Sequence, residues 1–420
     1  MSNIRIPCLP GFIWKRGSKF VADCGFRIGA CFRKRPLRDA VIMMTAFALS
    51  VMIALPAAAL GVNWSGSLET GPDYGDGTGD VTYDNDFRLK LDVSNGGAAT
   101  GVLLLRYWLP IPSDRLEESE PLTIHQAYLD LKLGAAALLR AGRQKISWGS
   151  GLAWNPTNYI GAAKNRADLG NESPGVDALD FEKGFGESLF TMLVKPQGAA
   201  GDWGKAIKYA TRFGNHDLAF SLYQQGAANG FGLDWAASIA DFTVYAELAA
   251  IAGAKAGAKA GTVRSYIGES GGALVPLTRP GNERYLYGVA GFSRFLPGDW
   301  MIQMEYYYNQ AGWNGVEAEN YYNYQGPEDL PTATYFGDLR RNYFYALFRK
   351  GELITDLAAT FSILGNLDDG GMMVTPGLEY RWGANTTGSF TVTWFAGDDH
   401  SEFGTMPDRL QIDAKVTVSF

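Results

Sequence analysis

Beyond residue 60, apolar and polar residues alternate with a period of two, and no other feature of this chain constrains its fold as tightly. Successive side chains of a strand point to opposite faces, so the pattern demands one apolar face and one wet face. The last segment, RLQIDAKVTVSF, shows it most clearly. Leu410, Ile412, Ala414, Val416, Val418 and Phe420 alternate there with Gln411, Asp413, Lys415, Thr417 and Ser419. Residues 87–93 set Phe87, Leu89, Leu91 and Val93 against Arg88, Lys90 and Asp92. In residues 352–363, Leu353, Leu357, Phe361 and Ile363 share a face opposite Asp356 and Thr360.

Roughly eighteen such runs can be marked: near 61–69, 82–95, 99–110, 123–133, 137–148, 176–183, 188–197, 205–214, 217–224, 232–238, 242–252, 284–295, 299–310, 340–349, 353–364, 372–382, 388–396 and 409–420. The connections between them sort by parity. Those after even-numbered runs are brief, at 97–99, 134–136, 215–217, 296–299 and 350–352, whereas most after odd-numbered runs are long, at 70–81, 111–122, 149–175, 253–283, 311–339 and 397–408. Short turns at one end and long loops at the other, with both termini on the short side, are the pattern of outer-membrane barrels. A soluble sandwich has no reason to alternate its loops this way. The expected fold is all-β, a transmembrane antiparallel up-and-down β-barrel of about 16–18 strands. At that size the interior is too wide for side chains to fill, and an aqueous passage is expected. Pro376, inside a predicted late strand, cannot donate to a ladder and marks either a bulge or a misplaced boundary.

The N-terminal region reads as a secretion signal. Residues 40–55, AVIMMTAFALSVMIAL, are uncharged, follow the basic stretch RKRPLRD, and precede Pro56 and Ala57-Ala58-Ala59. A basic segment, an apolar core and a small-residue site predict cleavage after about Ala59. That divides the chain into 1–59, an N-terminal extension and cleavable signal, and 60–420, the barrel. An uncleaved anchor is the alternative, because 40–62 is long enough to span a bilayer. Residues 1–32 are either a misplaced start or an extended n-region. All three cysteines, Cys8, Cys24 and Cys31, fall in this leader, so disulfides and cysteine chemistry are excluded from the barrel. The leader also takes nine of the 37 basic residues and two of the 44 acidic ones, leaving the barrel at a net charge of −14. A polyanion would be repelled, which excludes nucleic acid as a partner.

Two stretches resemble known families. The C-terminal strand, with Val416, Val418 and the terminal Phe420, resembles the assembly signal of Gram-negative outer-membrane β-barrels. GRQKISWGSGLAWNPTNY, residues 142–159, is similar to a strand-and-loop segment of porin-like barrels, including distant alginate-export relatives. The resemblance implies outer-membrane lipid and the barrel-assembly machinery as partners, small hydrophilic solutes as cargo, and a homo-trimer as one oligomeric option. It identifies no substrate and carries over no functional residue.

Phasing each early strand by its apolar face sends Arg88, Lys90, Asp92, Arg106, Asp130, Lys132, Arg143 and Lys145 inward, with Gln144 outward. Two readings stand. A cationic wall would concentrate anions; alternatively, mixed charges line any wet barrel and pair with one another. The loop at 149–175 holds Trp154, Asn155, Asn158, Lys164, Arg166 and Asp168, and is read either as a constriction folded into the pore or as an exposed surface loop. GAKAGAKAG, which opens the 253–283 connection, has the composition of a flexible segment.

Enzymatic chemistry has little to stand on. The histidines are His125, His216 and His400. Asp398, Asp399 and His400 could activate water, yet Gly397-Asp398-Asp399 is also ordinary turn chemistry. The same cluster lacks the further ligands a metal needs, so no metal and no cofactor are expected. The predicted function is passive diffusion of small hydrophilic solutes, with an anion preference if the basic wall holds. The rivals are a specific exporter or transporter of a polysaccharide or hydrophobic compound, an outer-membrane hydrolase, and a plugged structural barrel.

Overall fold

The computed structural model describes residues 61–420 apart from 78, 96, 112–120, 163, 167–168, 170–172, 198–201, 254–264, 271–272, 279–283 and 325–337. The leader and its cysteines, Asp168 and most of GAKAGAKAG lie outside the described residues. The strands are β1 (Gly61–Gly75), β2 (Val81–Ser94), β3 (Ala99–Trp108), β4 (Leu122–Lys132), β5 (Ala137–Gln144), β6 (Val176–Phe185), β7 (Ser188–Lys195), β8 (Gly204–Phe213), β9 (His216–Gln225), β10 (Ala228–Ile239), β11 (Phe242–Ala252), β12 (Ser265–Ser270), β13 (Ala273–Thr278), β14 (Arg284–Leu296), β15 (Trp300–Asn309), β16 (Asn342–Ile354), β17 (Leu357–Asn366), β18 (Met372–Trp382), β19 (Thr386–Ala396) and β20 (Leu410–Ser419). All but β12 and β13 form one eighteen-stranded antiparallel sheet, and β1 pairs with both β2 and β20, so the sheet closes. Closure is what lipid requires, because each unpaired backbone group in hydrocarbon costs several kcal/mol.

The alternation reads out as expected. Val62, Trp64, Leu68, Phe87 and Tyr107 project from the outer face and stay exposed, while their neighbours turn inward. At the end that carries Gly61 and Phe420, every connection has two to four residues: 95–98, 133–136, 186–187, 214–215, 240–241, 297–299, 355–356 and 383–385. Such turns need positive φ, supplied by Gly186 (φ 60°) and Gly214 (φ 61°), and in two turns by Asp299 (φ 59°) and Asp356 (φ 62°).

Several boundaries move. The turn expected at 350–352 lies instead at 355–356, because β16 carries Lys350, Gly351 and Glu352 through an irregular register against β17. β1 continues to Gly75, so its loop is shorter than the 70–81 expected. β5 stops at Gln144 rather than near 148, and the chain turns inward there. Pro376 sits inside a genuine strand. It pairs with Phe361 on β17, while on the β19 side neither it nor Thr375 has a partner; the register is the same before and after the gap. The 253–283 connection contains the β12–β13 hairpin, and the 311–339 connection contains α1 (Gly315–Asn323), started by a capping box between Asn314 and Glu317.

At the seam, Phe420 exchanges backbone hydrogen bonds with Gly66, at 2.9 and 3.0 Å. Its ring lies 5.8 Å from that of Trp64 and 6.1 Å from that of Phe87. Val416 and Val418 are exposed on the same outer face.

Candidate functional site

The connection between β5 and β6 folds into the barrel and docks on its far wall. Its first residues alternate, with Ile146 and Trp148 buried and Lys145 and Ser147 exposed. Gly149 (φ 91°) passes so close to β11 that a Cβ there would lie 2.5 Å from the Glu247 carboxylate oxygens, so only glycine fits. Glu247 accepts from the Gly151 amide (2.7 Å), the Asn155 side chain (2.9 Å) and the Thr157 hydroxyl (2.9 Å). Glu305 on β15 accepts from the Leu152 and Ala153 amides, the latter at 2.8 Å, and from the Tyr245 hydroxyl at 2.7 Å. Buried carboxylates are costly unless hydrogen-bonded, and charged acceptors make the stronger bonds. Wall and loop therefore each satisfy the other.

Aromatic packing completes the dock. Trp154 stacks on Tyr307 at 5.0 Å, and its indole N–H donates to Asp338 at 3.0 Å. Arg166 pairs with the same Asp338 at 2.6 Å, both nearly fully buried. Tyr159 stacks on Tyr223 at 5.0 Å. Asn158 accepts from the Gly161 amide, and Lys164 donates to the carbonyls of Gly151 and Leu152. Five of the six loop residues singled out above thus lie in an inward-folded segment; Asp168 falls outside the described residues. Beneath Gly149 and Ser150 a cavity of about 430 Å³ opens, lined among others by Lys208, Arg212, Asp217 and Asp234.

The wall of β20 and β1–β5 is different. It is lined by paired charges, some of them exposed: the side chains of Lys90 and Asp92 are 44% and 36% exposed, whereas Asp86 is buried. Asp86 receives both Arg88 and Arg106, each at 2.8 Å. Lys90 lies 3.1 Å from Asp92, and Lys415 lies 3.7 Å from Glu69 and 3.9 Å from Asp413. Arg140 holds Asp130 with two bonds, at 2.6 and 2.8 Å, and stacks over Tyr128 at 4.3 Å. Lys132 is exposed near the short-turn end of the same face.

One phase is reversed. Arg140, in register with inward Asp130, turns into the barrel, and so does Gln144, which is fully buried and donates to the Ala178 carbonyl. Arg143 lies on the opposite face of β5, where it pairs with Asp177 at 2.8 Å. Lys145 has left the strand and belongs to the loop. The reason is local ambiguity. Adjacent leucines at 138 and 139, with arginines at 140 and 143, fit either phase. The tight turn at 133–136 would have decided it by placing residue 140 opposite residue 130. The loop's anchors, Glu247 and Glu305, were also not singled out. Each is a lone acid inside an apolar run, alternating with lipid-facing neighbours, and that was the available signal.

Further loops pack above the docked segment. Glu402 is buried, accepting from Tyr343 at 2.6 Å and Asn366 at 2.8 Å, and desolvation pushes its carboxyl up to about 7. The His400 ring stacks on Tyr322 at 5.4 Å, and its backbone N–H donates to the Asp398 carboxylate at 3.0 Å, so Asp398 serves as a turn residue. His216, the first residue of β9, accepts from the Trp235 indole at 3.2 Å, and His125 is buried.

No protein-family model matches the sequence, and no curated protein matches it. Solved structures do. OccAB1 of Acinetobacter baumannii superposes with a TM-score of 0.55 at 8% identity, covering 86% of this chain and 96% of that one. OpdK of Pseudomonas aeruginosa, solved with vanillate, gives 0.54 at 10% identity over 86% and 98%. OccK3 (OpdO) of the same organism gives 0.54 at 8% over 86% and 95%. At such identities the likeness is one of architecture: this chain shares the closed β-barrel fold of these proteins.

Proposed function

We propose that this chain is an outer-membrane, porin-like channel for passive diffusion of small hydrophilic solutes. One observation carries the reading. The inward loop packs on one wall of the barrel, while Lys90 and Asp92 on the β20 and β1–β5 wall keep 44% and 36% of their side-chain surface exposed, which supports a narrowed passage over a plug. The fold shared with OpdK, a barrel solved with vanillate, supports the same reading. Residues 1–59 serve as the export signal, with mass spectrometry of the mature protein as the check. The Val416–Phe420 strand serves as the assembly signal. Single-channel recording of refolded 60–420 in a planar bilayer under a salt gradient tests the proposal. Discrete conductance steps are expected; a silent membrane would return the plugged structural barrel.

Anion preference rests on Asp86, where two cations, Arg88 and Arg106, share one carboxylate. Elsewhere on that wall Lys90, Arg140 and Lys415 pair with carboxylates, so the preference is a mild one. The 142–159 likeness to alginate-export barrels supports a polysaccharide exporter as the second reading. Oligosaccharide block of the conductance separates the two.

A further inference from the structure

On the lipid-facing side of β10, β11, β14 and β15, two neighbouring cross-strand rows leave a gap. One row sets Trp235, Ala246, Ala290 and Tyr306 side by side; the next, towards the long loops, sets Leu233, Leu248, Gly288 and Tyr308. Large side chains on β10 and β15 thus wall a floor of Ala246, Ala290 and Gly288, and the groove has a volume of about 340 Å³. Its walls are held in place. The Trp235 indole donates to His216 at 3.2 Å and stacks on that ring at 6.0 Å, and the Tyr306 hydroxyl bonds Asn342 at 2.6 Å.

The barrel itself does not need glycine at 288. A Cβ there would meet nothing nearer than the Glu247 carbonyl at 3.7 Å, whereas at Gly291, on the inner face of the same strand, it would lie 2.7 Å from the Tyr245 ring. A strand-interior glycine without such a neighbour marks close approach by something else. An empty groove would also forfeit dispersion contacts that a bilayer chain can supply.

The groove leads to a cation. Towards the short turns the outward residues of β14 after Ala290 are Phe292 and Arg294. Arg294 lies over the Phe242 ring at 4.6 Å and donates through Nη2 to Asp241 at 3.1 Å. Asp241 is mostly exposed in a turn, where such pairs are weak. The guanidinium carries five donors in a fork suited to phosphate, and Nε has no partner among the described residues. Trp300 and Lys350 pair side by side one row nearer the turns, adding an interfacial aromatic and a second cation to this rim. Depth agrees as well. Arg294 lies six residues from Gly288, roughly 20 Å along a strand. At a barrel tilt of about 40° that is roughly 15 Å of depth, half of a hydrocarbon core about 30 Å thick.

We propose that this outer face binds one phospholipid of the leaflet at the short-turn end, its phosphate on Arg294 and one acyl chain laid in the groove over Ala290 and Gly288. The site lies outside the barrel, so it stands whether or not the lumen conducts.

The probe is dipalmitoyl phosphatidylglycerol, added to refolded 60–420 in detergent and followed by native mass spectrometry, with dipalmitoylglycerol as the phosphate-free control. One retained phospholipid per barrel is expected, and little of the control. Gly288→Leu, which fills the groove with a side chain that lipid accepts, should abolish retention. Arg294→Gln should weaken it about fivefold, the scale of one cation facing a lipid phosphate. Asp241→Asn, which removes the competing carboxylate, should strengthen it. Heat-modifiable migration in electrophoresis checks that each variant is folded. Absence of retained phospholipid in the unmodified chain, equal retention of dipalmitoylglycerol, or unchanged retention in both Gly288→Leu and Arg294→Gln would overturn the site. A lipid-free oligomer that Gly288→Leu dissociates would assign the groove to a second copy of the chain and overturn it too.

Discussion

The two halves of the barrel interior solve the same problem in opposite ways. On the far wall, Glu247, Glu305 and a layer of tyrosines are covered by a loop whose amides and hydroxyls bond both of those carboxylates. On the β20 and β1–β5 wall the charges pair among themselves, and several of them, Lys90 and Asp92 above all, stay partly exposed. Dry polar groups need fixed partners, whereas wet ones tolerate exchange. The difference teaches which interior wall keeps its charges within reach of solvent, and the proposed passage would follow that wall.

The comparison breaks first at the dock. Replacing Glu247 and Glu305 together with alanine leaves several loop donors unpaired, at about 1–3 kcal/mol each. The loop should leave the wall and conductance should rise severalfold; an unchanged conductance would refute the narrowing. Trp154→Ala should act in the same direction but less, costing about 3–5 kcal/mol of docking. Its readout is tryptic cleavage at Lys164 or Arg166, protected in the parent chain. On the wet wall, Arg88→Glu with Arg106→Glu should move the reversal potential towards cation preference by a severalfold change in permeability ratio. Arg143→Glu, on the other face, should shift it far less; equal shifts would contradict the reversed β5 phase. The smallest effect belongs to the loops above. Burial raises the Glu402 carboxyl to about 7 from 4.5, so the folded state holds this proton more tightly. The stabilisation is fully present below about pH 4.5 and is lost as pH rises through about 7, a span worth roughly 3 kcal/mol. Loop proteolysis should therefore be faster at pH 8 than at pH 5, and Glu402→Gln should flatten the dependence.

Much of this was legible before any coordinates. The strand from Leu410 to Phe420 and the hairpins around 95–98 and 133–136 follow from alternation and turn residues, which act over a few positions. The candidate site was legible in part. Trp154, Asn155 and Arg166 stood out by composition, yet nothing local says that Trp154 meets Tyr307 or that the Leu152 amide finds a carboxylate 153 positions away. The β5 phase failed for the related reason that its own residues fit both faces.

By itself, then, the sequence determined a closed, greasy-outside cylinder with long loops at one end, because a two-residue period and lipid's intolerance of unpaired backbone leave no other solution. Only the tertiary structure decided which wall of that cylinder the loop covers. That choice depends on Glu247, Glu305 and Asp338 converging on one loop, and convergence exists only once closure has set the far wall opposite β5.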